Sequence, residues 1–119
     1  MDDPRTARPE VTLVTVTGTI DIFTAPRLRE SVLARIDVGA VHLLVDLERA
    51  VFADPTAAAL LIGFWWRVRA RGGRLSLAGA PAAIRDVFQA GRLSPGVTFH
   101  TSVEEALREY RPVGVGAAS

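Results

Sequence analysis

The chain has 119 residues, 49% of them hydrophobic, with 14 basic and 13 acidic side chains and a formal charge of +1. That length fits one domain with its own core, and near neutrality provides no broad field for a polyanion, so nucleic acid is not an expected partner. Having no cysteine excludes disulfide scaffolds, thiol nucleophiles and cysteine-ligated zinc, and agrees with a cytoplasmic setting.

Residues 1–10 mix Asp2, Asp3, Arg5 and Arg8 with Pro4 and Pro9. Without an apolar stretch they are neither a signal peptide nor a membrane insert, and they read as an N-terminal extension or a short edge strand. Val11 to Thr17 is rich in β-branched residues and predicts a strand that Gly18 breaks. Thr24 then offers a cap and Pro26 a first-turn proline for a helix over roughly 25–36, whose apolar face is Ala25, Leu28, Val32 and Ile36. Val41 to Leu47 is almost continuously apolar, the pattern of a central strand covered on both faces.

Asp54 before Pro55 suits an N-cap followed by a first-position proline, which puts Thr56 in the opening turn of a helix running to about Arg71. Ala57, Leu60, Leu61, Phe64, Trp65 and Val68 share one face of it. Ala59, Ile62 and Trp66 centre on the opposite face. Trp66 is there either an exposed binding anchor or a residue covered by a neighbouring helix. Leu75 and Leu77 mark a short strand, Ile84, Val87 and Phe88 a third helix, and Val97 with Phe99 a last strand. Ser102 and Glu105 have capping-box spacing for a final helix with Val103, Ala106, Leu107 and Tyr110 on one face, and 111–119 read as a flexible C-terminal tail.

Strands alternating with helices through short loops predict an α/β fold: a single, largely parallel or mixed sheet packed with helices. Functional loops in such sheets gather at the carboxyl ends of the strands, so Asp21 and Asp54 are expected on one edge.

Two segments carry a family resemblance. Gly18-Thr19-Ile20-Asp21 with Thr24-Ala25 resembles the Gly-x-Leu-Asp-x-x-Thr-Ala segment of STAS domains. Phe52-Ala53-Asp54-Pro55-Thr56-Ala57 is similar to their Phe-x-Asp-Ser-Ser/Thr-Gly segment, and the order of elements matches over 11–110. The resemblance implies the fold of the anti-sigma-factor antagonists: a protein that binds an anti-sigma factor of Ser/Thr kinase type and is released when phosphorylated, here on Thr56. It implies a partner surface around Asp21, Thr24, Asp54 and Pro55. Ala57 and Ala58 extend that surface along the helix, and Ile62 with Trp66 adds the side read from the helix periodicity. Pro55 and Ala57 stand where the family has serine and glycine. An alternative within the family is an unphosphorylated adaptor subunit of a lipid or other membrane transport complex; a third reading is a small-ligand sensor with a strand-end pocket.

No nucleophile elbow, phosphate loop or His-Glu-x-x-His pattern accompanies the carboxylates, so no catalytic residue, metal ligand or cofactor is assigned. His42 and His100 each stand alone in sequence, and Arg67, Arg69, Arg71 and Arg74 read as a solvated helix terminus. The sequence leaves open a homodimer through the N-terminal edge.

Overall fold

The protein's structure is a computed structural model describing residues 8–93 and 96–118, the last five by backbone alone. Its elements in chain order are β1 (Glu10–Ile20), α1 (Ala25–Asp37), β2 (His42–Phe52), α2 (Thr56–Ala70), β3 (Arg74–Ala78), α3 (Ala82–Ala90), β4 (Val97–His100), α4 (Val103–Ala106) and β5 (Arg111–Ala118). The strands form one sheet in the order β4-β3-β2-β1-β5. All four pairings are parallel.

The apolar pattern explains the layering. Alternate strand residues such as Val14, Val45 and Leu77 meet Val32 and Ile36 of α1, Leu61 and Phe64 of α2, and Phe88 of α3 in one cluster. These three helices therefore cover one face. On the other, Val11, Leu44 and Ala78 pack under Ala106 of α4. Leu43, Leu44 and Val45 are each 0% exposed, so the run expected to be covered on both faces is so. Burying a side chain the size of Phe64 contributes about 3 kcal/mol.

β2 runs five residues beyond its expected end at Leu47. The register passes from Thr15 against Asp46 to Thr17 against Arg49, which places one extra residue in β2. An Asp46 carboxylate oxygen accepts the Glu48 N–H at 3.0 Å in that irregularity. β1 and β2 then continue together to Ile20 opposite Phe52, past the last β2–β3 pair at Asp46 and Ala78. The rim after β1 and β2 thus projects beyond β3.

The C-terminal segment differs from its expected form. Instead of fraying, 111–118 pair with β1 as β5, with Arg111 opposite Glu10 and Ala118 opposite Val16. An Arg111–Glu10 ion pair of 2.6 Å holds the start, and the open edge of β1 supplies backbone partners that a solvated tail would lack. Residues 1–7 of the expected N-terminal extension lie outside the described residues. The final helix is a single turn, because Leu107 to Glu109 close in turns before β5 begins.

Two glycines give opposite expectations. A methyl group on Gly73 would lie 1.8 Å from the Val41 carbonyl oxygen, whereas one on Gly63, inside α2, would meet nothing within 4 Å. Gly63→Ala should raise stability by about 1 kcal/mol in urea titration, while Gly73→Ala should lower the midpoint by forcing β2 and β3 apart. A stabilising Gly73→Ala would contradict this packing.

Candidate functional site

The site is built from two strand ends. Ile20 and Phe52 are parallel partners, so the chain leaves β1 and β2 at one edge, with Asp21 one residue beyond and Asp54 two residues beyond. The expectation of a shared edge for the two carboxylates agrees with this register.

Asp21 organises the first turn. An oxygen of its carboxylate accepts the Phe23 N–H at 2.8 Å and the Thr24 N–H at 2.9 Å. The Thr24 hydroxyl in turn accepts the Asp21 N–H at 3.0 Å and donates to the Thr19 carbonyl at 2.8 Å. These reciprocal bonds form a capping box with Asp21 as the capping residue, one turn earlier than expected. Thr24 makes no side-chain bond to α1. The expectation that Thr24 caps the helix is therefore corrected: Asp21 takes that role, and Thr24 braces it from behind. The Thr24 and Phe23 N–H bonds, in that order, hold the Asp21 carboxyl below its usual 3.8, against a smaller opposing effect of burial.

At the second turn, a carboxylate oxygen of Asp54 accepts the Thr56 N–H at 2.8 Å, and the Pro55 carbonyl accepts the Ala59 N–H. The Asp54 carboxylate thus serves the first turn of α2, while Pro55 holds the cap position, one residue later than expected. Pro55 is exposed and Thr56 half-buried. Ala57 is only 1% exposed and belongs to the core, so its expected place on a partner surface is corrected: helix periodicity turns its methyl toward the sheet. Ala58 and Ile62 are half-buried against the same cluster.

Trp66 is 61% exposed, with its ring edge-on to Trp65 at 5.0 Å. Ten residues of helix place it about 15 Å along α2 from Thr56. The exposed reading of Trp66 holds, but Trp66 stands apart from the helix mouth.

Thr56 opens into a groove of about 890 Å³ between α1 and α2, a space large enough for side chains of another protein. Ile22 lines it too, so the groove joins the two turns. Ile22 is 62% exposed and Phe23 83% exposed. Sequence reasoning passed over both, although two large apolar residues inside a strand-to-helix turn were a legible signal, because such turns are ordinarily polar.

A second polar group lies after β4. His100 is buried, its Nδ1 3.7 Å from Glu105, and Glu105 accepts the Thr101 hydroxyl. That hydroxyl, more than any other group, lowers the Glu105 carboxyl from its usual value. Among the described residues no three His, Cys, Asp or Glu side chains are grouped to hold a metal, and no helix is long and apolar enough to cross a membrane.

The fold agrees with comparisons to known proteins. A STAS domain is matched over residues 5–106, and the chain belongs to that family. Among solved structures it is similar to the phosphorylated form of the Bacillus cell fate determinant SpoIIAA, at 28% identity and a TM-score of 0.68, covering 88% of this chain and 94% of that one. The unphosphorylated anti-sigma factor antagonist SpoIIAA matches at 25% identity and a TM-score of 0.65, covering 84% and 86%. A Thermotoga maritima protein shares the fold at 14% identity, with a TM-score of 0.63 over 90% of this chain and 97% of that one.

The capping geometry separates the charge of Asp21 from its hydrogen bonds. Asp21→Ala should lower Tm by a few degrees, whereas Asp21→Asn, whose amide oxygen accepts the same N–H groups, should keep most of it. Because the folded carboxyl titrates lower than the unfolded one, its contribution is complete above the unfolded value and is lost as pH falls through the folded value. The gap in Tm between wild type and Asp21→Ala should therefore stay level above about pH 5 and narrow in acid; a gap that widens on acidification would refute the assignment.

Proposed function

We propose that this chain is an anti-sigma-factor antagonist whose binding to an anti-sigma factor of Ser/Thr kinase type is controlled by phosphorylation of Thr56. The observation that carries this reading is the placement of Thr56: a half-buried hydroxyl residue in the first turn of α2, facing a groove at the rim where Asp21 and Asp54 emerge. Similarity to SpoIIAA, solved in both phosphorylated and unphosphorylated forms, supports it.

The chemistry of the switch is local. Phosphorylation adds roughly two negative charges and three acceptor oxygens at Thr56. Pro55 has no N–H, and Asp54 already holds the Thr56 N–H, so the phosphate meets the N–H groups of Ala57 and Ala58 while facing the Asp54 carboxylate. The rim thereby changes charge and shape without any strand moving. A partner fitted to the unphosphorylated rim loses contact by repulsion and desolvation rather than by unfolding. Ala57 does not obstruct a kinase at this position, because its methyl is in the core.

The test is incubation with the kinase-type anti-sigma factor and ATP, followed by mass analysis, and a pull-down comparing wild type with Thr56→Asp. One phosphate on Thr56, with the anti-sigma factor retained by wild type and lost by Thr56→Asp, is the expected result. An unmodified Thr56, together with a transporter subunit retained equally by both proteins, would favour the adaptor reading instead.

A further inference from the structure

Ile22 and Phe23 are large apolar side chains standing in water on a turn that is not loose. Five hydrogen bonds converge there: Phe23 and Thr24 N–H to the Asp21 carboxylate, Asp21 N–H to the Thr24 hydroxyl, that hydroxyl to the Thr19 carbonyl, and the Ala25 N–H to the Asp21 carbonyl. A pre-ordered apolar group loses little conformational freedom when a partner covers it, and aromatic anchors of this kind dominate interface energetics. Phe23 at 83% exposure has almost its whole side chain still to bury.

The position names the occupant. Ile22 and Thr56 line the same groove, so a protein that reaches the Thr56 hydroxyl must also cover Ile22. Asp21 and Asp54 flank that point, each accepting N–H groups of its own turn, while Arg29 and Arg67 line the same groove together with Glu30 and Asp37. The surface offered is therefore an apolar knob beside a groove of mixed charge.

We propose that Phe23, supported by Ile22, is the anchor by which the kinase-type partner grips this rim, entering an apolar cleft of the partner. This rests on the function proposed above and deepens it: Asp21 acts as the positioning residue that presents Phe23, and Ile22, which lines the groove with Thr56, links the anchor to the phosphorylated hydroxyl. Phosphate on Thr56 then places charge next to Ile22, where the partner's apolar wall must sit.

The test is phosphotransfer kinetics with the same purified kinase-type protein and ATP, on wild type, Phe23→Ser, Ile22→Ser and Phe23→Leu. Phe23→Ser should raise KM at least tenfold, about 1.4 kcal/mol of binding, with kcat within twofold and Tm unchanged; Phe23→Leu should recover most of the loss. If wild type is modified on Thr56 and Phe23→Ser shows the wild-type KM, the anchor is overturned while the proposed function stands. Failure of the kinase to modify or bind wild type overturns both. Sedimentation of the same variants decides against a second copy: a wild-type dimer that Phe23→Ser dissolves would assign the knob to self-association and overturn the proposal.

Discussion

Parallel pairing of β1 with β2 is the constraint on which the site depends. In a parallel pair both strands run the same way, so their carboxyl ends leave the sheet at one edge, about 4.8 Å apart. With Ile20 opposite Phe52, the capped turn at Asp21 and the helix mouth at Thr56 become neighbours whatever their own sequences prefer. Antiparallel pairing would have put them at opposite ends of the sheet. Because β3 stops pairing at Ala78, the two-stranded extension stands clear, and the rim is open to another protein.

The extra residue in β2 makes that extension compatible with the core. Before it, Leu43, Val45 and Leu47 face the helices; strict alternation would continue with Arg49 and Val51. The irregularity shifts the phase by one, so that Ala50 and Phe52 pack on the helix side while Arg49 is exposed. Burying an unpaired guanidinium would cost several kcal/mol, far more than one interrupted ladder step. Asp46 takes up the Glu48 N–H at that step, so the interruption leaves no orphaned donor there. The exposure of Val51, at 55%, is the other side of the same phase shift.

Much of this was legible in the sequence, and what escaped did so for identifiable reasons. The continuous apolar run at Leu43 to Val45 revealed a doubly covered strand, and the Asp54-Pro55 pair revealed a helix start, since both depend on local chemistry. The length of β2 was hidden because Glu48 and Arg49 read as loop residues until the phase shift is seen. β5 was hidden because Gly114 and Gly116 have little strand propensity, and its formation depends on an edge 101 residues away in the chain. The cap was misassigned for a subtler reason. Asp21 and Thr24 satisfy each other's backbone N–H, and spacing alone does not say which of the two residues begins the helix.

The two departures from the family pattern have unequal weight once their side chains are placed. Ala57 differs from glycine only by a methyl that lies in the core, where it adds buried area and leaves the approach to Thr56 unchanged. Pro55 is exposed and removes a donor from the helix mouth. A charge at a helix N-terminus gains about 0.3–1 kcal/mol from the dipole, yet here Asp54 already occupies the Thr56 N–H, and its carboxylate opposes a second anion. A phosphate on Thr56 would therefore be held less by the helix than at a mouth with every donor free. Its added charge would act more strongly on whatever faces the groove, which suits a switch that works by expelling a partner and leaves the fold intact.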